Sequence, residues 1–350
     1  MRRLSPGSNA GKLLFLAAVV AILCGCQPAP SATSYTPPEP PSDPASTPAH
    51  PAETTEPHQE KAAPGNEVKI VVTRDFGSEV ILDDFVSIAS DTSAMEALMA
   101  LAEVETSYGG GFVNAINGLS SGYSGGHASQ EDWFLFFNGI MSNTGALGFT
   151  LHPGDTEHWD YHDWGFRQFV PAIIGDYPEP FLHGYGGEVY PTVVAYQDGR
   201  EEAAREIAGS LAELGVGDAA CRGWDELSAD SRERSNLILL GDSEFAPIKE
   251  LNEPWSRLGF YCRFEDGSLR VFDPTGDLSA EYDGNVGLIQ ATQSIWNPKG
   301  TGACENVVWM VSGLDEAGVR AAADTLTDNY NEFRYACAVV ITGGKILRVP

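Results

Sequence analysis

The sequence predicts an α+β domain followed by an α/β domain with a mostly parallel sheet. Two observations lead to this prediction. In residues 68–186, short runs of alternating apolar and polar residues, separated by turn signals, surround one amphipathic helix. In residues 187–350, strand-like and helix-like segments alternate, which is typical of parallel α/β layers. We therefore expect two folded domains, each with its own sheet.

Residues 1–25 are predicted to be a lipoprotein signal peptide. Basic residues precede an apolar run at residues 13–23, which is too short to span a bilayer core of about 30 Å. Gly25 and Cys26 come next and resemble the lipobox of bacterial lipoproteins, in which the cysteine is acylated and becomes the first mature residue. We expect Cys26 to anchor the protein to the cell membrane on its extracytoplasmic side. An ordinary secretory signal is the alternative.

Residues 26–67 are predicted to form a disordered tether behind the lipid anchor. This segment holds 11 of the chain's 22 prolines, mixed with Ser, Thr, Ala and Glu. Its few large apolar side chains cannot bury enough surface to offset the entropy lost on ordering, and its prolines favour extended segments. The tether would hold the folded domains clear of the membrane.

The chain is strongly acidic, with a formal net charge of −28 at pH 7. Negative charge repels phosphate backbones and anionic lipid headgroups, so we expect no nucleic-acid partner. The same charge keeps an exposed, tethered protein soluble.

The four cysteines that follow Cys26 are disulfide candidates in an extracytoplasmic protein. An even number permits two bridges with three different pairings. The alternative is four thiols that pack as small apolar side chains. These residues are Cys221, Cys262, Cys304 and Cys337.

The first domain is predicted to begin with a hairpin and a helix. Residues 68–72 and 80–88 alternate as two strands around a turn. Ser93 and Glu96 have the spacing of a capping box, and apolar residues then recur at helical spacing. Three further strands are expected at residues 112–116, 133–137 and 156–161.

The second domain is predicted to alternate strands with helices. Helical crossovers join parallel strands, so this order predicts the mostly parallel sheet. Strands are expected at residues 189–196, 236–240 and 307–311, and helices at residues 200–214 and 315–325. An inserted hairpin is expected at residues 261–272, and the last strands at residues 338–349.

Five ordered pieces of the first domain resemble a known family. They lie at residues 112–119, 133–139, 145–146, 151–155 and 159–161. The pattern is similar to the small carboxy-terminal domain of transcobalamin and intrinsic factor, which also occurs as a domain of unknown function in bacterial surface lipoproteins. The resemblance covers about residues 68–165 and implies a β-grasp-like fold. In the vertebrate carriers this domain closes over cobalamin bound by an α-helical barrel, whose helical repeats are missing from this sequence.

The second domain resembles α/β modules of prokaryotic S-layer and other surface proteins. This resemblance extends over residues 188–350 and implies a structural or interaction module. It depends on residues 236–242, 296–298 and 307–326.

Two strands of the first domain carry the candidate ligand-binding residues. On each strand, aromatic residues alternate and share one face, which is either core or an aromatic wall for a flat ligand. The opposite face of the second strand carries imidazoles and carboxylates. The candidate residues are Trp133, Phe137, His158, Trp159, Asp160, Tyr161 and His162.

Three of these residues, His158, Asp160 and His162, are also candidate metal ligands. Positions two apart on a strand project from the same face. Imidazole and carboxylate suit zinc, copper, nickel or iron, and one imidazole could instead ligate the cobalt of a corrinoid or the iron of haem. The alternative is a polar face in contact with solvent.

Ser243 is a candidate nucleophile. Residues 239–243 resemble the strand-end serine of the lipase and esterase family named for a Gly-Asp-Ser-Leu block. Such a serine needs a general base, normally a histidine late in the chain, but all seven histidines lie at or before His183. We therefore predict that the protein is not an enzyme. A serine hydrolase that uses Ser243 is one alternative, and a helix cap formed by Asp242 or Ser243 is the structural one.

The function predicted from these features is extracytoplasmic ligand binding. A small ligand, such as a corrinoid or another tetrapyrrole, would lie between the first domain's aromatic and histidine-bearing strands and the second domain, and would pass to an importer. No cofactor would be required. The alternative is a structural or adhesive cell-surface protein, whose domains contact other surface proteins.

Overall fold

The first half of the protein is built on a five-stranded sheet. The computed structural model describes residues 65–123, 129–217 and 219–350. The sheet order is β2-β1-β8-β6-β7, with β1 and β8 parallel and the other pairs antiparallel. Strands β3, β4 and β5 form a separate antiparallel sheet. In chain order the elements are β1 (Glu67–Arg74), β2 (Glu79–Ser87), α1 (Ala94–Leu101), β3 (Val104–Ser107), β4 (Phe112–Ile116), β5 (Leu119–Ser120), β6 (Glu131–Phe137), β7 (Ile140–Met141) and β8 (Thr156–Asp163).

The predicted signal peptide and the predicted lipidation site Cys26 lie outside the described residues, as does the tether up to residue 64. Within the described ranges, no helix is both long enough and apolar enough to cross a membrane.

Helix α1 begins at the predicted capping box. The Ser93 hydroxyl accepts the Glu96 backbone N–H at 3.3 Å, and the Glu96 carboxylate accepts the Ser93 backbone N–H at 2.8 Å. Both bonds satisfy amides that the first helical turn leaves free. The helix then buries Met95 and Leu98 against the apolar face of the five-stranded sheet.

The second half is built on a seven-stranded mixed sheet. Its order is β10-β9-β11-β16-β15-β17-β18. Strands β12, β13 and β14 form a separate antiparallel sheet. The elements are β9 (Thr192–Tyr196), α2 (Glu201–Glu213), β10 (Ala220–Gly223), α3 (Ala229–Glu233), β11 (Asn236–Asp242), α4 (Ala246–Asn252), β12 (Cys262–Glu265), β13 (Ser268–Phe272), β14 (Leu278–Tyr282), β15 (Val286–Gln293), β16 (Val307–Gly313), α5 (Glu316–Asp328), β17 (Ala338–Thr342) and β18 (Lys345–Val349).

The seven-stranded sheet is less parallel than the sequence predicts. Strands β10, β9, β11 and β16 run parallel, whereas the pairs β16-β15, β15-β17 and β17-β18 are antiparallel. No helix separates β15 from β16 in the chain, and β17 and β18 are joined by a tight turn. Parallel pairing of consecutive strands needs a crossover connection, so the β15–β16 and β17–β18 connections reverse the strand direction instead.

Both faces of the seven-stranded sheet are covered. Helices α2 and α5 pack on one face, and α4 with the β12-β13-β14 sheet packs on the other. Residues 172–181, predicted to end the first domain, contribute Ile174, Tyr177 and Phe181 to the same core cluster as α2 and α5. The two halves are therefore joined by a shared core, and the described residues belong to one compact unit.

Candidate functional site

Strand β8 separates two different environments. Trp159 and Tyr161 point into the core of the first half, together with Trp133 and Phe137 of β6. Because successive side chains on a strand point to opposite faces, the intervening side chains of β8 point the other way, toward the second half. These are His158, Asp160 and His162.

A cleft of about 280 Å³ opens beside the aromatic face of β8. We call it the tryptophan cleft, defined by Met95, Trp133, Trp159 and the loop of residues 142–145. The loop follows β7 and forms a polar wall, while α1 and β6 supply apolar side chains. Two of the candidate ligand-binding residues thus line a cavity, and Phe137 and Tyr161 are not among the residues that line it.

Hydrogen bonds fix both indole rings of the tryptophan cleft. The Trp159 indole N–H donates to Glu157 Oε1 at 2.6 Å, and the Trp133 indole N–H donates to the Leu119 carbonyl at 3.1 Å. The Trp133 ring also packs edge-on against Tyr161, with ring centroids 5.2 Å apart. Since both indole N–H groups have partners inside the protein, the rings offer the cleft their apolar surfaces.

Glu157 is a fully buried carboxyl group behind the tryptophan cleft. Its Oε2 has no hydrogen-bond partner among the described residues. Burial raises the pKa of Glu157 to about 8, although the bond from Trp159 acts in the opposite direction. Glu157 therefore carries a proton at neutral pH. Glu157 is not among the residues predicted from the sequence, although it lies in phase with Trp159 and Tyr161 along β8.

The opposite face of β8 carries a buried chain of hydrogen bonds. His158 Nδ1 lies 2.8 Å from Asp176 Oδ1, and His158 Nε2 lies 2.9 Å from the Thr73 hydroxyl. That hydroxyl donates to Asp160 Oδ1 at 2.6 Å. Because the Thr73 proton is directed at Asp160, His158 Nε2 is placed to donate to the Thr73 hydroxyl. Burial lowers the pKa of His158, but the neighbouring Asp176 carboxylate outweighs it and the pKa is raised.

Asp160 is the centre of this chain of hydrogen bonds. Its Oδ2 lies 2.7 Å from His162 Nδ1, and its two oxygens accept the backbone N–H groups of Phe76 and Gly77 at 3.1 and 3.0 Å. Burial would raise the pKa of Asp160, but bonds from His162 and Thr73 hold it below its ordinary value. Asp160 is therefore a buried carboxylate whose charge is compensated by donors.

The structure corrects the solvent-face interpretation of His158, Asp160 and His162. They are 0, 3 and 1% exposed, so they do not form a solvent face. The His162 ring is stacked between Phe76 and Phe134, with centroids at 4.4 and 4.1 Å. Among the described residues, no group of three or more His, Cys, Asp or Glu side chains is arranged to hold a metal ion. The predicted metal ligands instead bond to one another and to neighbouring side chains.

The structure also corrects the predicted disulfides. Cys221, Cys262, Cys304 and Cys337 are free thiols. Cys262 lies in the core beside the β12-β13-β14 sheet, and Cys337 lies in the small cluster that contains Tyr261. Burial raises the pKa of both of these thiols. They pack as small apolar side chains, which was the alternative interpretation.

Ser243 follows strand β11 without a histidine beside it. No hydrogen bond in the described ranges joins Ser243 to a histidine, and the histidines described there all belong to the first half, at residues 152, 158, 162 and 183. Asp242 Oδ1 accepts the Glu244 backbone N–H at 2.9 Å in the turn before α4. The Asp242 side chain thus satisfies an amide of the turn. The N-cap of α4 is Phe245, and no side chain caps the helix there, so the helix-cap interpretation of Asp242 or Ser243 is wrong.

A second cleft, of about 360 Å³, lies where the two halves meet. We call it the inter-half cleft. Met141, Phe169 and Pro171 line it from the first half, and Arg257, Gln293 and Cys304 line it from the second. Its first-half wall includes residues 141–143, which also border the tryptophan cleft. No sequence pattern indicated this cleft, because its walls come from segments distant in the chain.

Part of the first half is similar to a known domain family. The family model "Domain of unknown function (DUF4430)" matches residues 91–163, a range that contains α1, β8 and the tryptophan cleft residues. This agrees with the predicted domain of unknown function, while the transcobalamin resemblance stays a prediction. No curated protein matches the chain.

One solved structure from Ruminococcus gnavus, described as "a putative metal binding protein", matches part of the chain. It is 14% identical, and the match covers 28% of this chain and 97% of that one, with a TM-score of 0.22. A TM-score this low does not show a shared fold.

Proposed function

We propose that this protein is a lipid-anchored, extracytoplasmic binding protein whose tryptophan cleft receives a small planar or apolar ligand. The observation that supports this most is the floor of the cleft. Two indole rings are held in place by hydrogen bonds of 2.6 and 3.1 Å before any ligand arrives. A preorganised aromatic surface loses little side-chain entropy on binding, which favours affinity.

The size and chemistry of the tryptophan cleft fit a small molecule. Its volume of about 280 Å³ is near the lower end of ligand pockets, which begin at roughly 300 Å³. The indole surfaces favour stacking and dispersion contacts, and the polar residues Ser142, Asn143 and Thr144 line the edge. This combination favours a ring system with polar substituents at its edge.

A corrinoid or another tetrapyrrole remains our first choice of ligand class. The transcobalamin resemblance points to this class, and the cleft would take one ring or substituent of the macrocycle. The predicted lipid anchor at Cys26 and the tether support capture outside the cytoplasm and transfer to an importer. With no histidine beside Ser243 in the described ranges, we infer a binding role without catalysis.

The test is ligand titration of the mature chain with cobalamin and haem, followed by visible absorption. Binding should shift the corrin or Soret band. Trp133→Leu should weaken binding at least tenfold, and Trp296→Leu, which removes a partly exposed indole outside the cleft, should leave it unchanged. Gly145→Leu is a second variant that blocks the cleft without removing core, because a Cβ at Gly145 meets only the Gly111 carbonyl, at 3.6 Å.

Two results would count against the proposal. If neither ligand shifts its band, the tetrapyrrole class is wrong. If a ligand binds but Trp133→Leu and Gly145→Leu both bind it normally, the tryptophan cleft is not the site. In either case, adhesion to other surface proteins becomes the better hypothesis.

A further inference from the structure

The inter-half cleft is mostly apolar and its polar floor is already satisfied. Gln293 Nε2 donates to the carbonyls of Met141 and Pro171 at 3.4 and 3.2 Å, and Gln293 Oε1 accepts the Cys304 backbone N–H at 2.8 Å. The Cys304 thiol donates to the Met141 carbonyl at 3.3 Å. With these groups paired to one another, the floor offers a ligand apolar surface.

The side wall of the inter-half cleft is also apolar. Phe169 is 56% exposed, which is unusual for a phenylalanine, and it lines the cleft beside Met141 and Pro171. An exposed aromatic ring at the edge of a cavity marks a site where apolar surface can still be buried.

Arg257 adds a positive charge at the rim of this apolar cleft. Its guanidinium makes no hydrogen bond or ion pair with any described residue. Every other arginine in the described ranges has at least one such partner. Arg167, Arg222, Arg232 and Arg348 also lack a carboxylate partner, but each donates to a backbone carbonyl. Within the described ranges the Arg257 guanidinium has neither kind of acceptor.

We propose that the inter-half cleft binds a small amphipathic carboxylate. The apolar body would lie against Phe169 and Met141, and the carboxylate would pair with the Arg257 guanidinium. Guanidinium binds carboxylate through parallel N–H donors, which gives both charge and geometry. This site is separate from the tryptophan cleft and takes a ligand of different chemistry, so it goes beyond the proposed function.

Calorimetric titration of the mature chain with octanoate and with octanamide tests this inference. The two probes share an apolar chain and differ in charge. We expect octanoate to bind more tightly than octanamide. Arg257→Met should weaken octanoate binding about two- to fivefold, the effect typical of an exposed ion pair, and should leave octanamide binding unchanged.

Three control variants show whether a loss of octanoate binding comes from the net charge, from the apolar wall of the inter-half cleft or from the tryptophan cleft. Lys345 on β18 is another cation without a partner among the described residues, and it does not line the cleft. Lys345→Met should therefore not change octanoate binding. Phe169→Ala should weaken both probes. Trp133→Leu, which alters the tryptophan cleft but leaves residues 141–145 unchanged, should leave octanoate binding intact. Failure of the tryptophan cleft and failure of the inter-half cleft therefore give different results.

Three outcomes would overturn the inference. Binding of neither probe rejects the cleft as a site for this chemistry. Equal binding of octanoate and octanamide rejects the carboxylate assignment. An equal loss of octanoate binding in Lys345→Met and Arg257→Met shows a general charge effect instead of a pair with Arg257.

Discussion

Replacement of Glu157 by glutamine should remove a large part of the pH dependence of stability above pH 5. The folded-state pKa of Glu157 is about 8, against an ordinary value of 4.5, because the carboxyl group is fully buried. The native state therefore holds the proton more tightly than the unfolded state. The stability that this proton provides is complete below pH 4.5, decreases as pH rises, and is lost above about pH 8.

The magnitude follows from the two pKa values of Glu157. A difference of about three and a half pH units corresponds to about 5 kcal/mol across the whole interval, at roughly 1.4 kcal/mol per unit. Between pH 6 and pH 9 the wild type should lose about 2 to 3 kcal/mol through this residue alone. Glutamine keeps an oxygen that can accept the Trp159 N–H and does not ionise, so the variant should not show this loss.

The assay is urea unfolding of wild type and Glu157→Gln at pH 6, 7, 8 and 9. The difference in unfolding free energy between the two proteins cancels other titrating groups, such as His158. It should move in favour of the variant by about 2 to 3 kcal/mol from pH 6 to pH 9. Glu67→Gln, at the exposed start of β1, is the matched control and should show no such trend. Parallel pH profiles for wild type and Glu157→Gln would refute the assignment of a protonated, buried Glu157.

Two further substitutions test the buried hydrogen-bond chain beside β8 and the close contact between the two halves at Gly77. Thr73→Val keeps the side-chain shape but removes the hydroxyl between His158 and Asp160, so it should destabilise the fold by roughly 1 to 3 kcal/mol. Urea unfolding measures this loss. An unchanged unfolding midpoint would contradict the hydrogen-bond chain. Gly77→Ala should destabilise the fold more than Gly118→Ala. Both glycines have a positive φ, of 76° and 80°, so the backbone strain of an alanine is similar at the two positions. Only at Gly77 would the added Cβ also meet a backbone carbonyl oxygen, that of Tyr335, at 1.8 Å. Thermal unfolding compares the two variants, and equal losses would show that the close approach of the halves at Gly77 is not rigid.

Local patterns in the sequence indicated much of the first half. The strands predicted at residues 112–116 and 133–137 are present, and the capping box at Ser93 starts α1. These features depend on neighbours a few residues away, which the sequence displays directly. The alternation along residues 156–161 likewise separates the residues that share a core with α1 from those on the opposite face.

The environment of that opposite face could not be predicted from the sequence. His158 is buried because Asp176 and Tyr335 pack on it, and Tyr335 is far away in the chain. Two histidines and an aspartate at alternate positions give the same sequence pattern in a metal site, on a solvent-exposed face and in a buried interface between the two halves. Only the long-range contacts decide among them. Arg257 illustrates the same point, because its lack of a partner among the described residues depends on where distant charged side chains lie in the fold.

The loop that follows β7 borders both clefts. Met141 pairs with β6 of the first half, yet its backbone N–H donates to the Pro171 carbonyl at 3.0 Å and its carbonyl accepts the Gln293 amide and the Cys304 thiol of the second half. The polar wall of the tryptophan cleft is thus anchored from both halves. Because residues 141–143 border both clefts, a ligand that displaces this loop from one side changes the wall of the other. Occupation of the inter-half cleft should therefore alter affinity in the tryptophan cleft, and by thermodynamic linkage the reverse effect must have the same size.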